Sequence, residues 1–287
     1  MLEITPKTSL MLSRLGSCGA FGAAAMELAK ENSNLAILTA DLCFYSGLTR
    51  VQQEFPEKIY NVGIAEQNMV GIAAGMAKEG MNVFATTYAT FASTRCCDQV
   101  RVNMGYMQLP IKLIGLTAGL CVGILGGTHI SCEDMAIMRS IPNIVVLSPA
   151  DCTETVKVTL AAAKLEKPVY IRLTGAMGNT VVYKEDYDFK IGKAISLRDY
   201  GNDIAIIATG TMVAKSLGIA DKLNDEGVHC TVYDMHTIKP LDKEAIDLDK
   251  KLIVTLEEHN TIGGLGSAVA EQLSSLESHP KHLSIGI

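Results

Sequence analysis

Short apolar runs alternate with small-residue, amphipathic stretches along most of this chain. Leu35–Leu38, Asn82–Thr87, Ile111–Leu116, Ile141–Leu147 and Pro168–Leu173 read as strands, short and rich in Val, Ile and Leu and bounded by turn formers. Between them the Ala-rich Phe21–Lys30 and the segment from Ala65 read as helices. So does the stretch after Ser148-Pro149-Ala150-Asp151, with Ser148 as N-cap, Pro149 in the first turn and an acid three residues on. Residues 1–15, with Pro6, read as a leader. Strands alternating with helices through Gly175 predict an α/β fold, a mostly parallel sheet flanked by helices. Residues 176–190 are polar, carrying Lys184, Glu185, Asp186 and Asp188, and read as a linker. A second α/β unit starts near Ile191, with strands at Asp203–Ala208, Cys230–Asp234 and Leu252–Leu256. A helix opened by Thr209-Gly210-Thr211 and one following Gly263-Gly264-Leu265-Gly266 complete it. The expected division is a domain at 1–178, a linker at 179–190 and a second domain at 191–287.

At 287 residues, 48% hydrophobic, the chain can bury one large core or two ordinary ones. A formal net charge of −6 without a long basic run argues against nucleic acid or an anionic membrane as partner. No apolar run reaches transmembrane length, and Leu113–Gly127 is short and Gly-rich. Glu3, Lys7 and Arg14 make a poor signal peptide, and Arg14 interrupts the apolar region that a lipoprotein site at Leu15-Gly16-Ser17-Cys18 would need. Eight scattered Cys without a CxxC suggest reduced thiols and a cytoplasmic protein. His129, Cys132, Glu133 and Asp134 match no zinc spacing, so no metal ligands are expected on this chain.

Candidate chemistry concentrates after the predicted strands, where an open α/β sheet places ligand contacts. Asn61–Gly75 holds one carboxylate, Glu66, among small and apolar residues. A Glu in the first turn can simply complement the helix dipole. Enclosed by such a helix, it can also serve in proton exchange near neutral pH. Thr39-Ala40-Asp41-Leu42 follows the first strand, and Asp41 is either a turn former or a ligand contact. Tyr88 and Phe91 share one helical face after the next strand, as core or as a stacking wall. The loop Thr117–Thr128, with Gly at 119, 123, 126 and 127, can approach a ligand closely and delivers His129. Gly263-Gly264-x-Gly266 is too weak a cluster to support dinucleotide binding.

Gly63-x-x-Glu66-x-x-Met69-x-x-x-Ala73-x-Gly75 closely resembles a signature of the transketolase family of thiamine-diphosphate enzymes. The resemblance extends through Ala40-Asp41-Leu42, Phe91, Asp98-Gln99-Val100-Arg101, Thr128-His129-x-x-x-Glu133-Asp134 and the Glu257-Glu258-His259-Asn260-x-x-Gly263-Gly264-x-Gly266-Ser267 turn. It is strongest to the C-terminal subunit of a split transketolase, with a pyrimidine-binding domain followed by a C-terminal domain. The resemblance implies that thiamine diphosphate is held by Asp41, Leu42, Glu66, Tyr88 and Phe91. Glu66 would protonate the pyrimidine, and His129 and Arg172 would face the donor. It implies a two-carbon ketol transfer from a ketose to an aldose, and packing of the Asp98–Arg101 helix at a subunit interface. The family's Gly-Asp-Gly…Asn motif for Mg²⁺ and diphosphate is missing. That implies an N-terminal-type partner supplying both, in a two-plus-two heterotetramer. Thr94 replaces a frequent Tyr. The family's Arg, Ser and Asp near the donor phosphate are replaced at Cys18, Tyr45 and Leu125, and its His-rich turn around Thr117-Ala118-Gly119, which points to an unusual or unphosphorylated ketose. The chain stops at Ser284–Ile287, shortly before the family's final segment. A deoxyxylulose-phosphate-synthase-like or ketoacid-dehydrogenase-β-like activity and a silent scaffold are the alternative readings.

Overall fold

The computed structural model describes residues 2–246 and 248–287. In chain order the strands are β1 Leu35–Thr39, β2 Ile59–Asn61, β3 Asn82–Tyr88, β4 Lys112–Leu116, β5 Val145–Leu147, β6 Val169–Arg172, β7 Ile195–Asp199, β8 Ile204–Ala208, β9 Cys230–Asp234, β10 Thr237–Lys239, β11 Leu252–Leu256 and β12 Lys281–Ile285. The helices are α1 Pro6–Glu31, α2 Thr49–Glu54, α3 Glu66–Lys78, α4 Cys97–Val100, α5 Asp134–Ser140, α6 Cys152–Ala162, α7 Met212–Asp225 and α8 Leu265–Leu273. Two sheets result, ordered β10-β5-β6-β4-β3-β1-β2 and β12-β11-β8-β9-β7. Pairing is parallel except for β10 on β5 and β7 on β9.

Both faces of the first sheet are covered, which is why its central strands are continuous apolar runs. Successive residues of β1 divide between two cores, as the two-residue period requires. Ala36 and Leu38 pack with Met69, Val70 and Ala73 of α3, whereas Leu35 and Ile37 pack with Phe21 and Ala25 of α1 and Val158 of α6. The strands that the pattern missed, β2, β7, β10 and β12, are short or carry no fully buried face. β10 belongs in sequence to the second half yet joins the edge of the first sheet, pairing Thr237 with Leu147. A three-residue strand carries no readable period.

Two local expectations are corrected. The leader is helical from Pro6, because Thr5 Oγ1 caps the helix by accepting from Thr8 N and Pro6 opens it. The helix kinks at Gly16, whose φ of +75° suits glycine, and a Cβ there would stand 3.0 Å from Met177 N. The N-cap of α6 is Asp151, not Ser148: its Oδ1 accepts from Glu154 N at 2.8 Å.

The expected linker is irregular, but it is bound down. Ser9, Ser13 and Ser17, four apart on α1, donate to the carbonyls of Lys184, Asn179 and Gly175. Asp151 Oδ2 accepts from Val182 N and Tyr183 N. Tyr183 donates to Asp234 Oδ2 at 2.6 Å, and Tyr187 donates to Glu154 Oε1 at 3.0 Å. Glu154 and Asp234, both fully buried, lie carboxyl to carboxyl where α6 meets the end of β9.

Burial pushes Asp234 up to about 7 and, together with the Asp234 charge, raises Glu154 well above the carboxylate range. Both groups are raised, so the folded chain binds protons that the unfolded chain has lost. Their contribution is fully present below the ordinary carboxylate range near pH 4 and declines as pH rises through about 7. The melting temperature is expected to fall from about pH 5 to about pH 8, by up to ~1.4 kcal/mol of stability per pH unit per proton. Glu154→Gln is expected to flatten that slope, which thermal melts of both proteins across the range would read.

Candidate functional site

The site forms where β1, β2, β3 and β4 end. β2 ends at Asn61, whose Oδ1 accepts from Asp41 N and Gly63 N and whose Nδ2 donates to Asp41 Oδ1 at 3.0 Å. Asp41 follows β1 with a φ of +58°, a conformation that Asp tolerates. Leu42 beside it is half-buried, its N–H donating to Thr39 Oγ1. Past β2, Glu66 opens α3 and is 2% exposed. It sits at the helix N-terminus, where Ala65 offers no side-chain cap, and it is enclosed.

β3 ends at Tyr88 and runs into a helical stretch containing the π-helical segment Phe91–Arg95. Tyr88, Phe91 and His129 form a ring cluster with centroids 5.1–5.9 Å apart, all edge to face. Such pairs contribute about 0.5–1.5 kcal/mol beyond burial, enough to fix the ring planes. Arg95 closes the cluster toward Glu66, its Nη1 donating to Glu66 Oε1 at 2.7 Å while its guanidinium lies 3.8 Å over the Phe91 ring. Sequence reasoning missed Arg95. The available signal was its place four residues after Phe91, on the same helical face.

β4 is followed by Thr117, which has a φ of +52° and a buried Oγ1 without a hydrogen-bond partner. A β-branched residue in this region is strained, a feature that gathers at functional sites. The Gly-rich loop follows, with Ile124 fully exposed, and ends at His129, where Thr128 Oγ1 and His129 Nδ1 are 2.9 Å apart. Glu258 of the second half anchors the loop, accepting from Leu120 N at 2.8 Å and from Thr211 Oγ1.

The fold thus gathers Glu66, Tyr88, Phe91 and His129, with Asp41 and Leu42 at the neighbouring strand end. Arg172 stands outside this group. It is 1% exposed, its Nε donating to Asp134 Oδ2 at 2.9 Å and its Nη2 to the carbonyls of Ser131 and Glu258. These bonds engage Nε and Nη2 of the guanidinium. In the Gly263–Gly266 turn, Glu257 accepts from Leu265 N and Gly266 N at 2.7 Å each, which occupies these donors. Burial pushes the Cys18 thiol up to about 12, with Cys121 adding to it, so Cys18 is a neutral thiol. Burial also raises the Tyr88 hydroxyl, with Tyr45 and Cys18 as further causes.

A pyrimidine-type cofactor fits what is present. Glu66 Oε2 has no hydrogen-bond partner among the described residues. It borders an open cleft of about 360 Å³ lined by Ile64, Ala65, Glu66, Gln67, Asn68 and Arg95. Among the described residues, no group of three or more His, Cys, Asp or Glu is gathered as a metal ion would need.

Residues 17–178 match the transketolase pyrimidine binding domain, and residues 192–285 match the transketolase C-terminal domain. The chain belongs to the transketolase family. It is a transketolase-type transferase subunit of the C-terminal kind found in split transketolases. It is 39% identical over 251 residues to the 6-deoxy-6-sulfo-D-fructose transketolase subunit SqwH of Clostridium sp., covering 86% of this chain and 77% of that one. It is 36% identical over 252 residues to one of the subunits of the apulose-4-phosphate transketolase of Phocaeicola vulgatus, covering 87% of this chain and 80% of the relative. A solved structure described as a split gene transketolase, inactive beta4 tetramer, superposes with a TM-score of 0.86 at 39% identity, covering 94% of this chain and 89% of that one.

Removing one partner of the Asp134–Arg172 pair leaves a buried charge uncompensated. Arg172→Met is expected to cost about 3–5 kcal/mol in urea unfolding, and adding Asp134→Asn should recover part of the loss.

Proposed function

We propose that this chain binds thiamine diphosphate by its pyrimidine end and transfers a two-carbon ketol unit from a ketose donor to an aldose acceptor, sharing its active site with an N-terminal-type transketolase subunit. In this reading the partner holds Mg²⁺ and the diphosphate, and the assembly is a two-plus-two heterotetramer acting in carbohydrate metabolism in the cytoplasm. The two domains run over 1–178 and 191–287. Self-association uses the helical stretch around Asp98–Arg101, beyond which Tyr106 stands exposed. The observation that carries the reading is the enclosed carboxylate of Glu66, joined to the Phe91 ring by one guanidinium.

The chemistry that such a cofactor supplies when bound is a nucleophilic thiazolium carbon. The protein's part is position and proton control. Glu66 Oε2 would face the pyrimidine ring nitrogen and share a proton with it. Phe91 and Tyr88 wall the ring, with Asp41 and Leu42 closing the adjacent strand end. His129 engages Thr128 through Nδ1, which leaves Nε2 to hydrogen-bond a donor hydroxyl and to relay its proton.

Three donor-side positions of the family carry no charge on this chain. Cys18 is a half-buried neutral thiol, Tyr45 is an exposed phenol and Leu125 is apolar. These groups favour an unusual or unphosphorylated ketose. The names of the two relatives, with a sulfonated and a phosphorylated sugar, agree that donors vary within such subunits.

Calorimetric titration of thiamine diphosphate with Mg²⁺ tests the shared site. Binding is expected for a mixture with an N-terminal-type subunit and not for this chain alone; tight binding by this chain alone would overturn the division. Glu66→Ala is expected to lower ketol transfer by about 10²–10⁴, the usual loss for one acid–base group. Near-normal turnover in a coupled assay would remove Glu66 from the mechanism.

A further inference from the structure

Arg95 touches both groups on which the proposed cofactor site is built, and nothing in the reaction described above uses it. Its Nη1 is 2.7 Å from Glu66 Oε1, and its guanidinium lies 3.8 Å from the centre of the Phe91 ring. Its main chain is held too, because Arg95 O accepts from Gln67 Nε2 at 3.1 Å. Two successive residues of α3, Glu66 and Gln67, therefore grip one residue of the π-helical segment. That segment ends with Cys96 N donating to Phe91 O at 3.3 Å, the wider turn that brings position 95 back over the ring at 91.

The charges are unequally placed. The Glu66 side chain is 3% exposed and that of Arg95 42%, so the carboxylate is enclosed while the cation reaches the cleft edge. A planar guanidinium can donate in its plane and stack through its face at once, which an ammonium cannot do. One oxygen of Glu66 is thereby fixed and the other left open to the cleft.

We propose that Arg95 is a positioning residue for the cofactor: it holds the Glu66 carboxylate by Oε1 so that Oε2 meets the pyrimidine ring nitrogen, and it sets the Phe91 ring plane against the same ring. This rests on the functional reading above, and the test separates the two. The assembly with an N-terminal-type subunit is titrated with two probes, each with Mg²⁺. One is thiamine diphosphate. The other is its analogue with carbon in place of the ring nitrogen that faces Glu66. The wild type is expected to prefer the natural cofactor by roughly tenfold or more, as a charge-assisted hydrogen bond allows.

In Arg95→Met that preference should collapse toward unity, because an unheld carboxylate no longer selects the nitrogen. Arg95→Lys keeps an ion pair without the stack and should fall between the two. Should Arg95→Met fail to fold, Arg95→Lys decides alone, and a preference equal to the wild type's overturns the proposal. If Arg95→Met weakens both probes equally, Arg95 is merely structural and the proposal fails. If it tightens thiamine diphosphate, Arg95 occupies the pyrimidine's own place and the proposal fails as well. A wild type that binds neither probe, or binds both alike, overturns the role of Glu66 itself and the positioning role with it.

Discussion

One buried ion pair, Asp134 with Arg172, fixes the relation between the first sheet, the loop carrying His129 and the second half of the chain. Arg172 ends β6, Asp134 begins α5, and Nη2 of the guanidinium reaches the carbonyls of Ser131 and Glu258. Tyr170, two residues before Arg172 on the strand, adds its hydroxyl to the same carboxylate at 2.8 Å. A pair this deeply buried contributes little net stability compared with an apolar replacement, because desolvating both ions cancels most of the attraction. What it provides is a single geometry: separating the two buried charges would leave each uncompensated, which holds the elements that carry them in register.

That constraint decides which part of the Gly-rich loop is free. Its two ends are tied, by Gly119 N to Ser131 O and by Leu120 N to Glu258. Its middle, around Gly123–Thr128, turns outward with Ile124 in solvent. His129 stands on the tied side, wedged edge-on between Tyr88 and Phe91. The ring cluster is therefore rigid while the stretch beside it can adapt, an arrangement suited to a fixed proton relay next to an adaptable substrate surface.

Much of this was legible in the sequence, for definable reasons. The buried strands of the first sheet show as unbroken apolar runs because both faces are covered, and Glu66, Phe91 and His129 stand out as polar or aromatic residues directly after strands or glycines. What was not legible depends on partners distant in the chain. Arg172 has the same composition whether it faces a sugar or Asp134, and only the fold brings Asp134 beneath it. Asp151 competed with Ser148 as the cap of α6, and hydrogen-bond geometry chose between them. β10 leaves its own half of the chain because three residues are enough to pair with β5 but not enough to display a period. Arg95 was hidden because an arginine four residues from an aromatic is common, and its meaning comes from α3 lying alongside.

The distribution of charge around the cleft has a consequence for the division of labour in the proposed reading. A cofactor with a neutral, flat end and a doubly phosphorylated end needs opposite environments at its two poles. The lining here offers a carboxylate, small apolar residues and the cation of Arg95, which is already engaged by Glu66. A phosphate brought against Glu66 would meet like charge in an enclosed site, where repulsion is far stronger than in water. The pyrimidine end, with a ring nitrogen to share a proton and a face to stack, meets no such penalty. In the proposed reading, electrostatics therefore favours the cofactor's ring toward this chain and its phosphates toward the partner, and the pairing with Glu66 keeps Arg95 from acting as a phosphate anchor.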